Sequence, residues 1–289
     1  MKVQGFFDKA TNTVTYLVAC PETGKAAIID PVLDFDPADA ALKTTSIDTI
    51  LGVAEGEELD ILYVLDTHVH ADHLSAGDYV RRKTGARYGI GAGITDVKQT
   101  FKAVFNVADI GPDTELFDDL YKEGDVITIG KMDVTVLHTP GHTPACLTYL
   151  IGDAAFVGDT LFMPDFGTAR TDFPGGDART LYQSIAKILS LAPETRIFVG
   201  HDYLSERRKL HVWETTVADQ KAFNIHVGHG KTEDEFVAMR EARDKELAAP
   251  RLILPSLQVN IRAGQLPPQE ENGQVYLKLP VKGAERLQT

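Results

Sequence analysis

The sequence predicts a layered α/β domain with a mainly helical extension after about residue 203. Three observations carry that prediction: recurring short apolar runs, amphipathic helical stretches between them, and turns rich in Gly, Pro and Asp at their junctions. Residues 13–19, TVTYLVA, and 25–30, KAAIID, are β-like runs separated by CPETG, and they read as a hairpin. Residues 61–67, ILYVLDT, form a continuous apolar run, the pattern of a strand buried on both faces. LSAGDYVRRKTG reads as a helix that stops at Gly85. GDVITIGKMDVTVLHT holds two strand-like runs around Gly130, and CLTYLIGDAAFVGDT holds two more around Gly152 and Asp153. DARTLYQSIAKILSLA places Leu181, Ile185, Ile188 and Leu189 on one helical face. RIFVGHDY is a strand followed by a polar loop. KTEDEFVAMREARDKELAAP opens on Thr232 and Glu235 at capping-box spacing and ends before Pro250. These elements set a core at residues 1–205 and an extension at 206–289 packed on it within a single structural domain.

Composition narrows the function classes. At 289 residues, with 43% apolar and 25% charged, the chain can bury a substantial core and matches ordinary globular usage. A formal charge of −13 argues against a nucleic-acid backbone or an anionic membrane as the main partner, since both attract Lys/Arg fields. An anionic small substrate stays open, because a local basic pocket can oppose the global charge. The two cysteines, Cys20 and Cys146, make no disulfide framework and suit a reducing compartment. No apolar run approaches ~18 residues, and the N-terminal stretch lacks an export or organelle signal. The expected location is cytoplasmic.

The chemistry gathers in one stretch, LDTHVHADHLSAG. It places His68, His70, Asp72 and His73 within six positions of a chain that has nine histidines. On an extended chain His68 and His70 point the same way, because side chains alternate with period two. If the chain turns into a helix after Asp72, then Asp72 and His73 project from its first turn into the same space. Imidazole and carboxylate suit zinc, iron and manganese, and the cluster follows an apolar strand, where open α/β sheets carry their sites. A polar loop with coincidental histidines is the alternative. Against it, three further polar residues stand beyond other apolar strands: His142 in LHTPGHTPA, Asp159 in AFVGDTLF and His201 in FVGHDY.

THVHADH, followed in order by TPGHT, VGDTLF and VGHDY, resembles the metallo-β-lactamase superfamily over roughly residues 10–205. The resemblance implies a four-layer αβ/βα sandwich with a metal site at one edge, residues 1–205 being the metal-binding core. It implies one ligand set of His68, His70 and His142 and a second of Asp72, His73 and His201, with Asp159 able to bridge. His138 lies outside the PGHT turn and is left out of the set. His211, His226 and His229 match no family motif and read as surface or structural residues.

Within that superfamily, TYLVACPETGKAAIIDPVLDF, THVHADHLSAG and above all GTARTDFPGGDARTLYQSI resemble persulfide dioxygenases. That resemblance implies one Fe(II) held by His68, His142 and Asp159, which are then the catalytic residues. His70, Asp72, His73 and His201 become groups behind the ligands or ligands of a second metal. The implied reaction oxidises glutathione persulfide, or a similar low-molecular-weight persulfide, with O2 to sulfite and thiol, in a possible homodimer. Arg170 is a candidate for steering glutathione carboxylates, its alternative being a salt bridge with Asp172. Tyr182 either lines that pocket or packs in the core, and Cys146 reads as a buried small residue. Glyoxalase II enzymes share the metal words, so a dinuclear zinc thioester hydrolase is the second reading. The helical stretch at residues 232–249 is longer than in short dioxygenases.

Overall fold

The computed structural model describes residues 1–206 and 208–287. Strands β1 (Lys2–Phe7), β2 (Val14–Ala19) and β3 (Lys25–Ile29) form an antiparallel meander. After it, β4 (Val32–Asp36) and β5 (Ala41–Lys43) leave the sheet, and helix α1 (Thr45–Gly56) returns the chain to β6 (Asp60–Leu65), parallel to β3. The short β7 (Leu74–Ser75), helix α2 (Gly77–Thr84) and β8 (Arg87–Gly91) follow. Helices α3 (Ile94–Phe105) and α4 (Asp113–Leu116) then lead to β9 (Asp119–Tyr121), which closes a six-stranded sheet of order β1-β2-β3-β6-β8-β9.

A second six-stranded sheet runs in sequence order. It holds β10 (Val126–Ile129), β11 (Met132–His138), β12 (Leu147–Ile151) and β13 (Ala154–Phe156), then β14 (Arg196–Phe198) and β15 (Glu214–Thr216). Helix α5 (Ala178–Leu189) makes the crossover from β13 to its parallel neighbour β14. Helices α6 (Val217–Phe223), α7 (Glu233–Asp244) and α8 (Ile253–Asn260) complete the chain's main elements. Among the described residues no helix is long and apolar enough to cross a membrane.

Period-two alternation explains the layering. Tyr16 and Val18 of β2 face Val134, Val136 and Tyr149 of the second sheet, and this inter-sheet layer is one buried cluster. Leu17 and Ala19 point the other way, onto Ile47 and Ile50 of α1 and Phe101 of α3. On the far side, Ala155 and Ile197 pack against Leu181, Ile185 and Ile188 of α5 and Phe236 of α7. The result is the expected αβ/βα sandwich. Two helix starts read from sequence carry working caps: Asp177 accepts from Thr180 N, and Thr232 with Glu235 forms the full capping box.

One local expectation fails. The chain does not enter a helix after Asp72. Leu74 and Ser75 instead pair with Leu33 and Val32, and α2 begins only at Gly77. The reason is a set of long-range partners: Ser75 N donates to Asn260 Oδ1, and Ala76 N donates to Pro31 O. Asn260, from α8, also donates to the carbonyls of His70 and His73, both at 2.8 Å. One buried amide thus holds the histidine loop open. Asn260→Ala leaves three backbone groups without partners, at about 1–3 kcal/mol for a buried group stranded this way. The expected loss is about 2–4 kcal/mol, read as a lower midpoint in thermal unfolding; an unchanged midpoint would refute the assignment.

Candidate metal centre

Every candidate ligand lies just beyond a strand end at the same edge of the sandwich. His68 and His70 follow β6, His142 sits in the loop between β11 and β12, Asp159 follows β13, and His201 follows β14. Gly158 has φ +50°, and a Cβ there would collide with Thr67 Oγ1, so only glycine lets Asp159 approach the histidine loop. Gly141, at φ +133° against the backbone of Leu181, does the same for the turn that carries His142.

Two triads result. The ligand atoms of His68, His142 and Asp159 lie within 4.8 Å of one another, and so do those of His70, Asp72 and His201. In the first, Asp159 Oδ2 is 3.9 Å from His68 Nε2 and 3.7 Å from His142 Nε2. Two ligand atoms about 2.1 Å from one ion at a tetrahedral angle stand roughly 3.4 Å apart, so the set has the dimensions of one coordination sphere. In the second, His201 Nε2 is 3.3 Å from Asp72 Oδ2 and also 3.2 Å from Asp159 Oδ1. Asp159 thus faces both triads. His73 stands beside the second triad, its Nδ1 3.6 Å from Asp72 Oδ2.

The surrounding hydrogen bonds orient the rings. His142 Nδ1 donates to the carbonyl of Arg170 at 2.8 Å, which leaves the Nε2 lone pair toward Asp159. Thr67 Oγ1 donates to Asp30 Oδ2 and therefore accepts from His68 Nδ1 at 3.0 Å, with the same outcome for His68. His70 Nε2 donates to Asp30 Oδ1 at 3.0 Å, so its free atom is Nδ1. Burial, reinforced by neighbouring imidazoles, holds His68 and His70 well below the usual histidine range, which favours the neutral form that a metal ligand needs. Burial opposes charge on His201 too, but Asp159 and Asp72 outweigh it and raise its pKa. Burial also pushes Asp72 upward, yet His201 and His73 hold its carboxyl well below the usual range.

His68 Nε2, His70 Nδ1, His73 Nε2, His201 Nε2, Asp72 Oδ2 and Asp159 Oδ1 are buried and have no hydrogen-bond partner. Such a set is costly unless a cation completes it. The residues fit a metal.

The family model of the metallo-beta-lactamase superfamily matches residues 9–201. The chain belongs to the metallo-β-lactamase superfamily. Within it, a Burkholderia pseudomallei protein described as a "probable metallo-hydrolase" is 48% identical over 97% of this chain and 99% of its own. Glyoxylase B2 of Dictyostelium discoideum is 42% identical over 97% of each chain. The mouse mitochondrial persulfide dioxygenase ETHE1 is 31% identical over 91% of this chain and 89% of its own. The beta-lactamase hydrolase-like protein of Xylella fastidiosa is longer: this chain, 49% identical, spans 65% of it. Among solved structures, ETHE1 from Myxococcus xanthus superposes with a TM-score of 0.73 at 32% identity, covering 92% of this chain and 100% of that one. The protein is therefore a metallo-β-lactamase superfamily enzyme, and members of that family bind metal ions.

Beside this candidate metal centre lies a cavity of about 340 Å³, whose lining includes Asp72, His142 and Asp159 together with Phe162, Phe166 and Tyr203. Arg170 also lines it, but its guanidinium is engaged. Nε and Nη2 donate to the two oxygens of Asp172 at 2.5 and 2.6 Å, and Nη1 and Nη2 donate to the carbonyls of Ala248 and Leu247. Four of its five N–H donors are thus in use, and the salt bridge with Asp172 is real. Tyr182 does not reach the cavity. Its hydroxyl donates to Lys231 O at 2.8 Å, and its ring meets Phe236 at 5.6 Å between α5 and α7. Asp172 does not line the cavity either; it holds Arg170. Cys146 is buried, which pushes its thiol up to about 12, and its Sγ accepts from Thr143 N at 3.3 Å.

Of the remaining histidines, His229 is exposed and the other three have structural contacts. His138 Nε2 donates to Pro144 O, His211 stacks on Phe7 at 4.1 Å, and His226 accepts from Thr168 N. Sequence reading missed Asp30, Tyr203 and Asn260. Asp30 had a signal, an acid just beyond an apolar strand like Asp159, whereas nothing local marks Asn260.

Proposed function

We propose that the protein is a persulfide dioxygenase that oxidises glutathione persulfide, or a similar low-molecular-weight persulfide, to sulfite and thiol. The balance is one persulfide, one O2 and one water giving one thiol, one sulfite and two protons. The supporting observation is the His68, His142 and Asp159 triad, two histidines and one carboxylate whose ligand atoms group without His70. That donor set is the one non-haem iron oxygenases use, with positions left for substrate and O2. Fe(II) held there would supply the chemistry of O2 and of the persulfide sulfur.

The chain's own residues do the rest. Thr67 and the Arg170 carbonyl fix the ring orientation of His68 and His142. Phe162, Phe166 and Phe173 keep that part of the cavity apolar, which suits a sulfur chain and O2 and excludes bulk water. A dinuclear zinc thioester hydrolase is the second reading, favoured by the adjoining His70, Asp72 and His201 triad and by the contact of Asp159 with both sets.

Purified protein carrying about one iron per chain and consuming one O2 per glutathione persulfide is the expected result. Two zinc ions per chain, with cleavage of a glutathione thioester and no O2 uptake, would reverse the choice.

A further inference from the structure

Four arginines line the cavity above the metal centre: Arg170, Arg240, Arg243 and Arg251. Two are neutralised in place, Arg170 by Asp172 and the buried Arg240 by Asp244 at 2.7 Å. Arg243, in the last turn of α7, and Arg251, just past Pro250, are exposed. Among the described residues no carboxylate lies within ion-pair distance of either. Two uncompensated guanidiniums at one mouth invert the local charge of a chain whose net charge is −13. Both belong to the C-terminal segment, beyond the residues that the family model matches.

The cavity continues into a neighbouring groove. The two share Ala10, Thr11, Arg251 and Leu252, and the groove is also lined by Asp8, Asp34 and Asp36, with Lys43 as its other cation. Arg251 therefore stands between an apolar metal-bearing chamber and an acidic trough.

We propose that Arg243 and Arg251 are specificity-determining residues that bind the carboxylates of the thiol carrier, while the trough receives its ammonium group. Guanidinium forks match carboxylates with two parallel hydrogen bonds. A zwitterionic peptide thiol satisfies both surfaces. A carrier whose charges are all phosphates would satisfy the arginines and be repelled by Asp8, Asp34 and Asp36. The inference rests on the reading of the cavity as a thiol-carrier site. Because the rim is exposed, the attraction is modest and salt-sensitive.

The test uses metal-loaded protein with R243Q, R251Q and the double variant, assayed by O2 uptake on glutathione persulfide, coenzyme A persulfide and the persulfide of 2-mercaptoethanol, whose carrier portion bears no charge. The double variant is expected to raise KM for glutathione persulfide roughly tenfold with kcat retained, and to leave KM for the uncharged carrier unchanged. Added salt raises the wild-type KM and barely moves that of the double variant. An unchanged KM in an active double variant overturns the proposal, as does an equal rise with the uncharged carrier. Equal use of the coenzyme A persulfide overturns the trough's part in it. If wild type takes up no O2 with any persulfide, yet cleaves a glutathione thioester with a KM that the double variant raises, the dioxygenase reading falls and the carboxylate site stands.

Discussion

Asp159→Ala is expected to remove bound metal and turnover together. Its two oxygens face different partners, Oδ2 toward His68 and His142 and Oδ1 toward His201, so no other residue stands in for it. Outer partners of metal ligands cost about 10–100-fold in affinity when removed, and a ligand itself exceeds that range. Metal affinity is therefore expected to fall more than roughly 100-fold, measured as metal retained after dialysis against a chelator. His142→Ala is expected to do the same. The far-UV circular dichroism of the variant separates loss of metal from loss of fold, since Asp159 also faces His201 at 3.2 Å. The comparison with His201→Ala adds information: retained iron with reduced turnover fits a single ion on the first triad, whereas loss of half the metal fits two ions. Full metal retention by Asp159→Ala would dissolve the site as drawn.

What made that site legible was chain order. Each ligand sits in its own short word beyond an apolar strand, so THVHADH, PGHT, VGDT and VGHD could be read without knowing how the strands meet. Helices α5 and α7 were legible for local reasons too: α5 from Leu181, Ile185, Ile188 and Leu189 on one face, α7 from the Thr232–Glu235 capping box. Helices α1, α3 and α8 went unread, and none has a side-chain cap; they begin after Thr44, Gly93 and Leu252 with no cap hydrogen bond. Tertiary packing defines them instead, through Ile47, Phe101 and Leu257 on the outer face of the first sheet. The same limit hid Asn260 from the histidine loop, 190 residues away, and left Tyr182 open between the pocket and the packing against Phe236 that it adopts. A tyrosine's alternation on a helix says that it is buried, not where.

The second large effect is expected at Asp244, which is not itself a candidate ligand but sits behind the one at His142. Its Oδ2 accepts from Thr171 N at 2.8 Å and Thr171 Oγ1 at 3.0 Å, while Oδ1 accepts from Arg240 Nε at 2.9 Å. Arg240 in turn donates to Thr168 O at 3.2 Å. Helix α7 thereby clamps residues 168–171, and it is the carbonyl of Arg170, inside that clamp, that sets the ring of His142. Arg240 and Asp244 are buried, so Asp244→Ala strands a guanidinium in the interior, at about 3–5 kcal/mol. For a chain of this size that lowers the unfolding midpoint by roughly 6–15 °C. Stability loss alone would spare metal binding in the fraction that stays folded. The clamp predicts more: below the midpoint, metal affinity falls about 10–100-fold, the loss typical of removing a group behind a ligand. Replacing both members, Arg240→Met with Asp244→Leu, removes the stranded charge and recovers much of the midpoint, yet leaves Thr171 unheld. If the double variant regains wild-type metal affinity along with its stability, α7 is only ballast; if affinity stays low, the helix positions the metal centre.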